Sequence, residues 1–216
     1  MFLDTPYFLS MRLLSLYFVP PELISADEVK KTFEGYHPSK VEKFHTRSAK
    51  VADKMLEVSL KKNPEKEVYL MCGGTASGKT EFLSEYLDTF DGIVFDGTLA
   101  TPEGAHIKIR KIQKAKKIPI ICAVIPLNLH VAFTAFLHRE RKFSDVHFFK
   151  THAGARKTLL WVAESMPHVE LRLYRSTYIE KKMVFQALTF EDYVQQIEFL
   201  RNIQYTEDGI LKEIKS

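Results

Sequence analysis

The chain has 216 residues, 45% of them hydrophobic and 27% charged, with a net charge of +4. That size suits a single α/β domain with a full core, and the mild positive charge fits a handler of anionic small molecules while being too weak to argue for nucleic acid by itself. Its two cysteines, Cys72 and Cys122, both sit inside apolar runs, which excludes a disulfide framework and reads as reduced, buried thiols in a cytoplasmic protein.

Residues 7–19 are apolar, but the run is too short to span a bilayer and Arg12 interrupts it. Asp4 precedes it and Pro20-Pro21 follow, with no basic segment ahead of it and no small-residue cleavage site. The expectation is a docked N-terminal element and no membrane partner. Ser25 with Glu28 makes a capping box for a short helix to about residue 33, which Gly35 ends. From Pro38-Ser39 a longer helix carries Val41, Phe44, Ser48, Val51, Met55 and Val58 at spacings of three and four, and Asn63-Pro64 stops it.

Residues 68–72 read as a buried strand and run into Gly73-Gly74-Thr75-Ala76-Ser77-Gly78-Lys79-Thr80, the G-x-x-x-x-G-K-T pattern of a phosphate-binding loop. An amphipathic helix follows over 81–87. Small residues in such a loop let successive backbone N–H groups turn toward a polyphosphate at the positive end of the next helix. Lys79 then reaches the β- and γ-phosphates, and the Thr80 hydroxyl ligates Mg²⁺. The cofactors expected are ATP and Mg²⁺, with residues 73–80 as their seat.

Beyond a turn at Asp91-Gly92, residues 93–95 form a second strand ending at Asp96-Gly97-Thr98. Pro102-Glu103 starts a helix with Ile109, Ile112 and Ala115 inward and a run of basic residues from Lys108 to Lys117 outward. Residues 118–125 are an unbroken apolar strand apart from Pro119, as expected of a strand covered on both faces. Asn128 caps a helix that ends in Arg139-Glu140-Arg141-Lys142, residues 143–150 read as a loop, and 151–165 as a further helix. Residues 169–174 form a fourth strand, 178–186 a short hairpin or edge strand, and Thr189 with Asp192 opens the last helix. Strands alternating with helices imply a P-loop NTPase, an α/β fold with a doubly wound, mostly parallel sheet and flanking helices. Residues 1–64 are expected as a helical extension packed on a kinase domain of residues 65–216, one compact unit.

In such a sheet the ligand lies outside the carboxyl ends of the strands. Of the four strand ends read here, only the second carries an acid, Asp96. It is the candidate for a general base toward an acceptor hydroxyl, a metal ligand beside Thr80, or a substrate ligand. Thr98 and Glu103 join it as candidate substrate contacts. Asp96-Gly97-Thr98-Leu99 also imitates the nucleophile motif of haloacid-dehalogenase phosphatases, but position 94 is Val94 where that motif needs an aspartate. Phosphoryl transfer needs further cations. The cluster Arg139, Arg141, Lys142, Lys150 and Arg156 brackets the loop where a lid would sit, and Arg139, Arg141 and Arg156 are the candidates, with Lys79, for catalysis. His147 and His152 border the same loop without the partners of a zinc site.

With the phosphate loop, Asp96-Gly97-Thr98-Leu99-Ala100-Thr101 and the arginine-bearing segment, the chain resembles the zeta toxin family of P-loop kinases from about residue 35 to 174. The best known members phosphorylate the 3′-hydroxyl of UDP-N-acetylglucosamine with ATP. The Gly-Thr-Leu-x-Thr segment looks like the family's Glu-Gly-Thr-Leu-Arg-Thr, whose acid and first threonine contact the sugar nucleotide. The resemblance therefore implies Asp96 and Thr98 as substrate ligands, Arg139 or Arg141 with Arg156 as phosphate clamps, and a protein antitoxin as partner. Here Asp replaces Glu, and Ala100 replaces Arg. The family's separate Asp-rich segment, which carries the catalytic base between the loop helix and this motif, has no counterpart in the roughly sixteen residues between Thr80 and Asp96. The enzymatic alternative is a polynucleotide or tRNA-end kinase, supported by the basic helix 108–117. The alternative from another class is a nucleotide-binding switch that transfers nothing.

Overall fold

Six short segments build one sheet, the central ones apolar on both faces. The computed structural model describes residues 20–180 and 182–215, so the apolar run at 7–19 lies outside the described residues. The strands are β1 (Glu22–Ser25), β2 (Glu67–Cys72), β3 (Ile93–Asp96), β4 (Ile118–Pro126), β5 (Glu170–Ile179) and β6 (Lys182–Leu188). Their spatial order is β1-β3-β2-β4-β5-β6, parallel throughout except for β6, which pairs antiparallel with β5. The helices are α1 (Ala26–Lys31), α2 (Val41–Lys62), α3 (Lys79–Tyr86), α4 (Pro102–Lys114), α5 (Leu129–Leu137), α6 (Asp145–Ser165), α7 (Tyr193–Asn202) and α8 (Glu207–Lys215).

The period of two along each strand sorts side chains onto two faces. Val68, Leu70 and Cys72 of β2, with Ile121 and Ala123 of β4, pack against residues of α2, α4, α6 and α7, including Leu56, Ile109, Leu159 and Leu200. The intervening Tyr69, Met71, Ile120, Cys122 and Val124 meet Phe82 and Leu83 of α3 on the other face. Local signals fix the helix starts. Thr101 accepts from the Gly104 N–H to cap α4, Asn128 from Val131 to cap α5, and Asp192 from Gln195 to cap α7.

Several expectations change. Residues 20–64 are not a purely helical extension: β1 joins the sheet, pairing Ser25 with Asp96 at the outer edge of β3. Four residues after two prolines give too short an alternation to signal a strand. Helix α6 begins at Asp145, so the segment between α5 and α6 is only residues 138–144, shorter than the loop expected over 143–150. Strand β5 continues to Ile179 as one arm of the hairpin with β6. Helix α8, unread in the sequence, buries Ile210 and Ile214 against a cluster that includes Phe136 and Phe148.

Candidate functional site

The carboxyl ends of β1, β2 and β3 converge on one cavity of about 340 Å³. Its floor is the 73–80 loop. Gly73 holds φ 142° and its N–H donates to the Thr98 carbonyl at 3.2 Å, tying the loop directly to the turn after β3. Gly78, at φ 97°, is the N-cap of α3, and a side chain there would also strike Met183 of β6. Two residues other than glycine take left-handed backbone in this region, Ala76 at φ 63° in the loop and Leu99 at φ 44° in the turn. Such conformations persist where the surroundings enforce them, and they gather at binding sites.

Lys79 folds over the loop, with Nζ donating to the carbonyls of Gly73 at 2.8 Å and Gly74 at 3.0 Å. Burial lowers its ammonium pKa and the carboxylate of Asp96 pulls it back. Asp96 moves the other way: burial raises its carboxyl pKa, against the nearby Lys79 charge and the hydrogen bond it accepts from Ser25 Oγ at 3.0 Å. Thr80, exposed at the start of α3, lines the same cavity with Thr75, Ala76 and Ser77. The first N–H groups of α3 have no acceptor within the helix, so glycine cradle, lysine and hydroxyl fit a bound polyphosphate. Thr80 and Asp96 are the residues that would hold its Mg²⁺. Among the described residues no cluster of three His, Cys, Asp or Glu side chains offers an independent metal site.

Beside Asp96, the one strand-end acid legible in the sequence, the fold brings a second to the cavity. Asp27, just past β1, lines the cavity beside Asp96. It pairs with Lys30 at 2.7 Å and with Arg141, and although burial works to raise its carboxyl pKa, these two cations outweigh it and hold the pKa below the ordinary value. The only sequence signal for Asp27 was an acid following Leu23-Ile24-Ser25, a run too short to register as a strand. Lys30 is another omission, a lysine with 1% exposure beneath the ring of Phe143. The outer wall adds Lys108, paired with Asp53 at 2.8 Å, and His147, stacked on Phe143 at 4.2 Å. Burial, with His45 second, pushes the His147 pKa down to about 4.

The predicted arginines divide. Arg139 and Arg141, on the segment between α5 and α6, line the cavity. Among the described residues Arg139 has no ion-pair partner, and burial followed by the Arg141 charge lowers its pKa. Arg156 is corrected: it sits in the middle of α6, lines neither this cavity nor the second one, and lies buried behind the loop with Tyr205 under its guanidinium. Glu103 is corrected too. It is exposed in the first turn of α4 and contributes nothing to the cavity wall, whereas Thr98 does.

A second cavity of about 270 Å³ opens on the far side of Ala76, between Leu127, Asn128 and Val131 on one side and Ser176, Tyr178 and Met183 on the other. Ser176 Oγ donates to the Ser77 carbonyl at 2.7 Å, fastening the loop to β5 at this cavity's base. The loop thus divides a chamber with no charged side chain in its wall from one lined by three carboxylates, Asp27, Asp53 and Asp96, and several cations. Neither a protein-family model nor a curated protein matches this chain.

Proposed function

We propose that the chain is an ATP-dependent phosphotransferase with a P-loop NTPase fold, moving the γ-phosphoryl group to a hydroxyl of a small anionic metabolite in the cytoplasm. The observation that carries this reading is the pair of chambers sharing Ala76 as their partition. A nucleotide whose phosphates lie on the loop has an uncharged chamber for its base on one side. On the other it meets a chamber furnished with acids and cations. A switch that only binds nucleotide has no use for the acids and cations that line the charged chamber beyond Lys79 and Thr80.

In this reading Lys79, the first N–H groups of α3 and Thr80 hold the donor phosphates. Thr80 and Asp96 would hold a Mg²⁺ ion, which when bound would supply charge neutralisation on the phosphoryl oxygens. Asp96, whose carboxyl pKa burial raises above the ordinary value, takes the acceptor's hydroxyl proton. The acceptor oxygen forms its bond to the γ-phosphorus as the bond to the leaving diphosphate breaks. Arg139, desolvated and without an ion-pair partner among the described residues, faces the charge that spreads over the transferred group. Asp27, ionised by its two cations, holds Arg141 and Lys30 in place.

The resemblance to zeta toxin kinases agrees with this division, and it suggests a UDP-amino sugar as acceptor and a protein antitoxin as partner. Asp27, in the first turn of α1 just past β1, is a candidate counterpart for the acid-bearing segment missing between Thr80 and Asp96, supplied from before the phosphate loop. A second reading, transfer to a nucleic-acid end, has one observation in its favour: basic residues of α2 and α4, Lys54 and Arg110 among them, are exposed on the helices that carry the cavity residues Asp53 and Lys108. Oligonucleotide binding with a steep salt dependence supports that second reading, and no binding at low salt removes it. The primary test is mutational. Lys79→Ala is expected to abolish phosphorylation, and Asp96→Asn to cut it by about 100-fold or more with ATP binding retained. Asp96→Asn with unchanged transfer removes the assigned base.

A further inference from the structure

Behind the phosphate loop, on the side away from both cavities, α6 grips a single residue by both of its backbone polar groups. The Thr75 N–H donates to Thr151 Oγ at 3.1 Å. Thr151 Oγ gives its own proton to the Phe148 carbonyl at 3.1 Å, so at 3.2 Å it accepts again from the Thr75 hydroxyl. The Thr75 carbonyl lies 2.8 Å from His152 Nε2, and a carbonyl can only accept, so Nε2 carries the proton. Nδ1 is then a lone pair, and it faces Arg156 Nη1 at 3.4 Å.

Everything around His152 enforces that arrangement. The ring is fully buried, lies 4.2 Å from Phe148, and occupies the space that a side chain on Gly74 would fill. Arg156 is 5% exposed, its Nε has no partner, and among the described residues no carboxylate pairs with it. Burial and this guanidinium, in that order, push the imidazole pKa down to about 3, so the ring is neutral at any working pH. Arg156 is fixed in turn by Tyr205 beneath it and by Gln204, which donates to its backbone carbonyl at 3.0 Å.

We propose that Thr151 and His152 are positioning residues of the phosphate loop, holding the Thr75 N–H and C=O from behind, and that Arg156 orients the His152 ring. The inference rests on the donor-site reading. A loop held by two anchors at one residue keeps its remaining N–H groups aimed at the phosphates before they arrive, so part of the ordering cost of binding is met in advance. Arg156 acts here through His152 and touches no phosphate.

The test is the affinity of the full chain for Mg·ATP by titration calorimetry, with the thermal midpoint of the nucleotide-free protein recorded alongside. His152→Phe keeps a buried ring and removes the donor to Thr75. The proposal expects about tenfold weaker binding, the scale of one hydrogen bond lost at a buried carbonyl, with His152→Gln restoring most of it because its amide nitrogen reaches the position of Nε2. His152→Phe binding like wild type while Lys79→Ala does not bind overturns the brace and leaves the donor site standing, as does His152→Gln binding no better than His152→Phe. Wild type failing to bind ATP overturns the donor site and the brace with it. If His152→Phe does not fold, Thr151→Val carries the same comparison at the Thr75 N–H, again with about tenfold weaker binding expected and unchanged affinity counting against the proposal.

Discussion

Asp96 and Asp27 lie in one cavity and are pushed in opposite directions, and the difference is one of partners. Asp27 has Lys30 and Arg141 in contact, while Asp96 has a serine hydroxyl and the more distant fields of Lys79 and Arg141, which do not overcome burial and the neighbouring charge of Asp27. A raised folded-state pKa means that the neutral acid suits the fold: that stability is fully present below the ordinary carboxylate value of about 4 and is lost as pH rises through the folded value. Asp96→Asn, which is neutral at every pH, is therefore expected to raise the thermal midpoint at pH 7 while abolishing transfer, with the gain shrinking to nothing below pH ~4. A variant less stable than wild type at pH 7 contradicts the assignment. For Asp27 the sign reverses. Its depressed pKa gives stability that is present above the ordinary value and lost as pH falls through the folded one, so Asp27→Asn is destabilising at pH 7 and harmless in acid. Because it releases Arg141 and Lys30 rather than the base, it is expected to raise the acceptor KM more than it lowers kcat, a split that steady-state kinetics reads directly.

At the scale of elements, α6 couples the two halves of the site. Its N-terminal half touches the phosphate loop through Thr151 and His152, and one turn on, Gly154 lies so close to the Ala100 carbonyl that a side chain there would collide with it. Replacing a mid-helix glycine by alanine ordinarily stabilises by about 1 kcal/mol. Here the sign is expected to invert, with Gly154→Ala losing about 1–3 kcal/mol in urea unfolding, because the added methyl must push the 96–101 turn away from the sheet. A stabilised Gly154→Ala contradicts the close packing of helix and turn. The sequence showed α6 by its apolar spacing and placed the phosphate loop and Asp96 by short-range pattern. It could not show that His152 faces Gly74 or that Arg156 turns inward. Both are polar residues on a helix whose neighbours come from segments 48 to 77 positions away, and periodicity carries no information about which strand end a given face will meet.

For the molecule as a whole, strand order decides which residues share the cavity. The phosphate-loop strand β2 lies between β3 and β4, and β1, which precedes it in sequence, is carried across to the far side of β3. That crossover brings Asp27 to Asp96, a pairing of residues with no sequence proximity, and it explains why the second acid stayed hidden while the first was plain. Arg139 and Arg141 were readable as a cation cluster near a loop, yet only the closure of that segment over β1, through the Arg141–Asp27 pair, brings them to the cavity rim. The direct test of the account is to incubate the protein with γ-labelled ATP and an extract of small metabolites and to follow the label. Transfer to a hydroxyl-bearing acceptor is expected with wild type and none with Lys79→Ala or Asp96→Asn. Label that stays on ATP, appears only as inorganic phosphate, or moves equally well with Lys79→Ala would contradict the phosphotransferase reading.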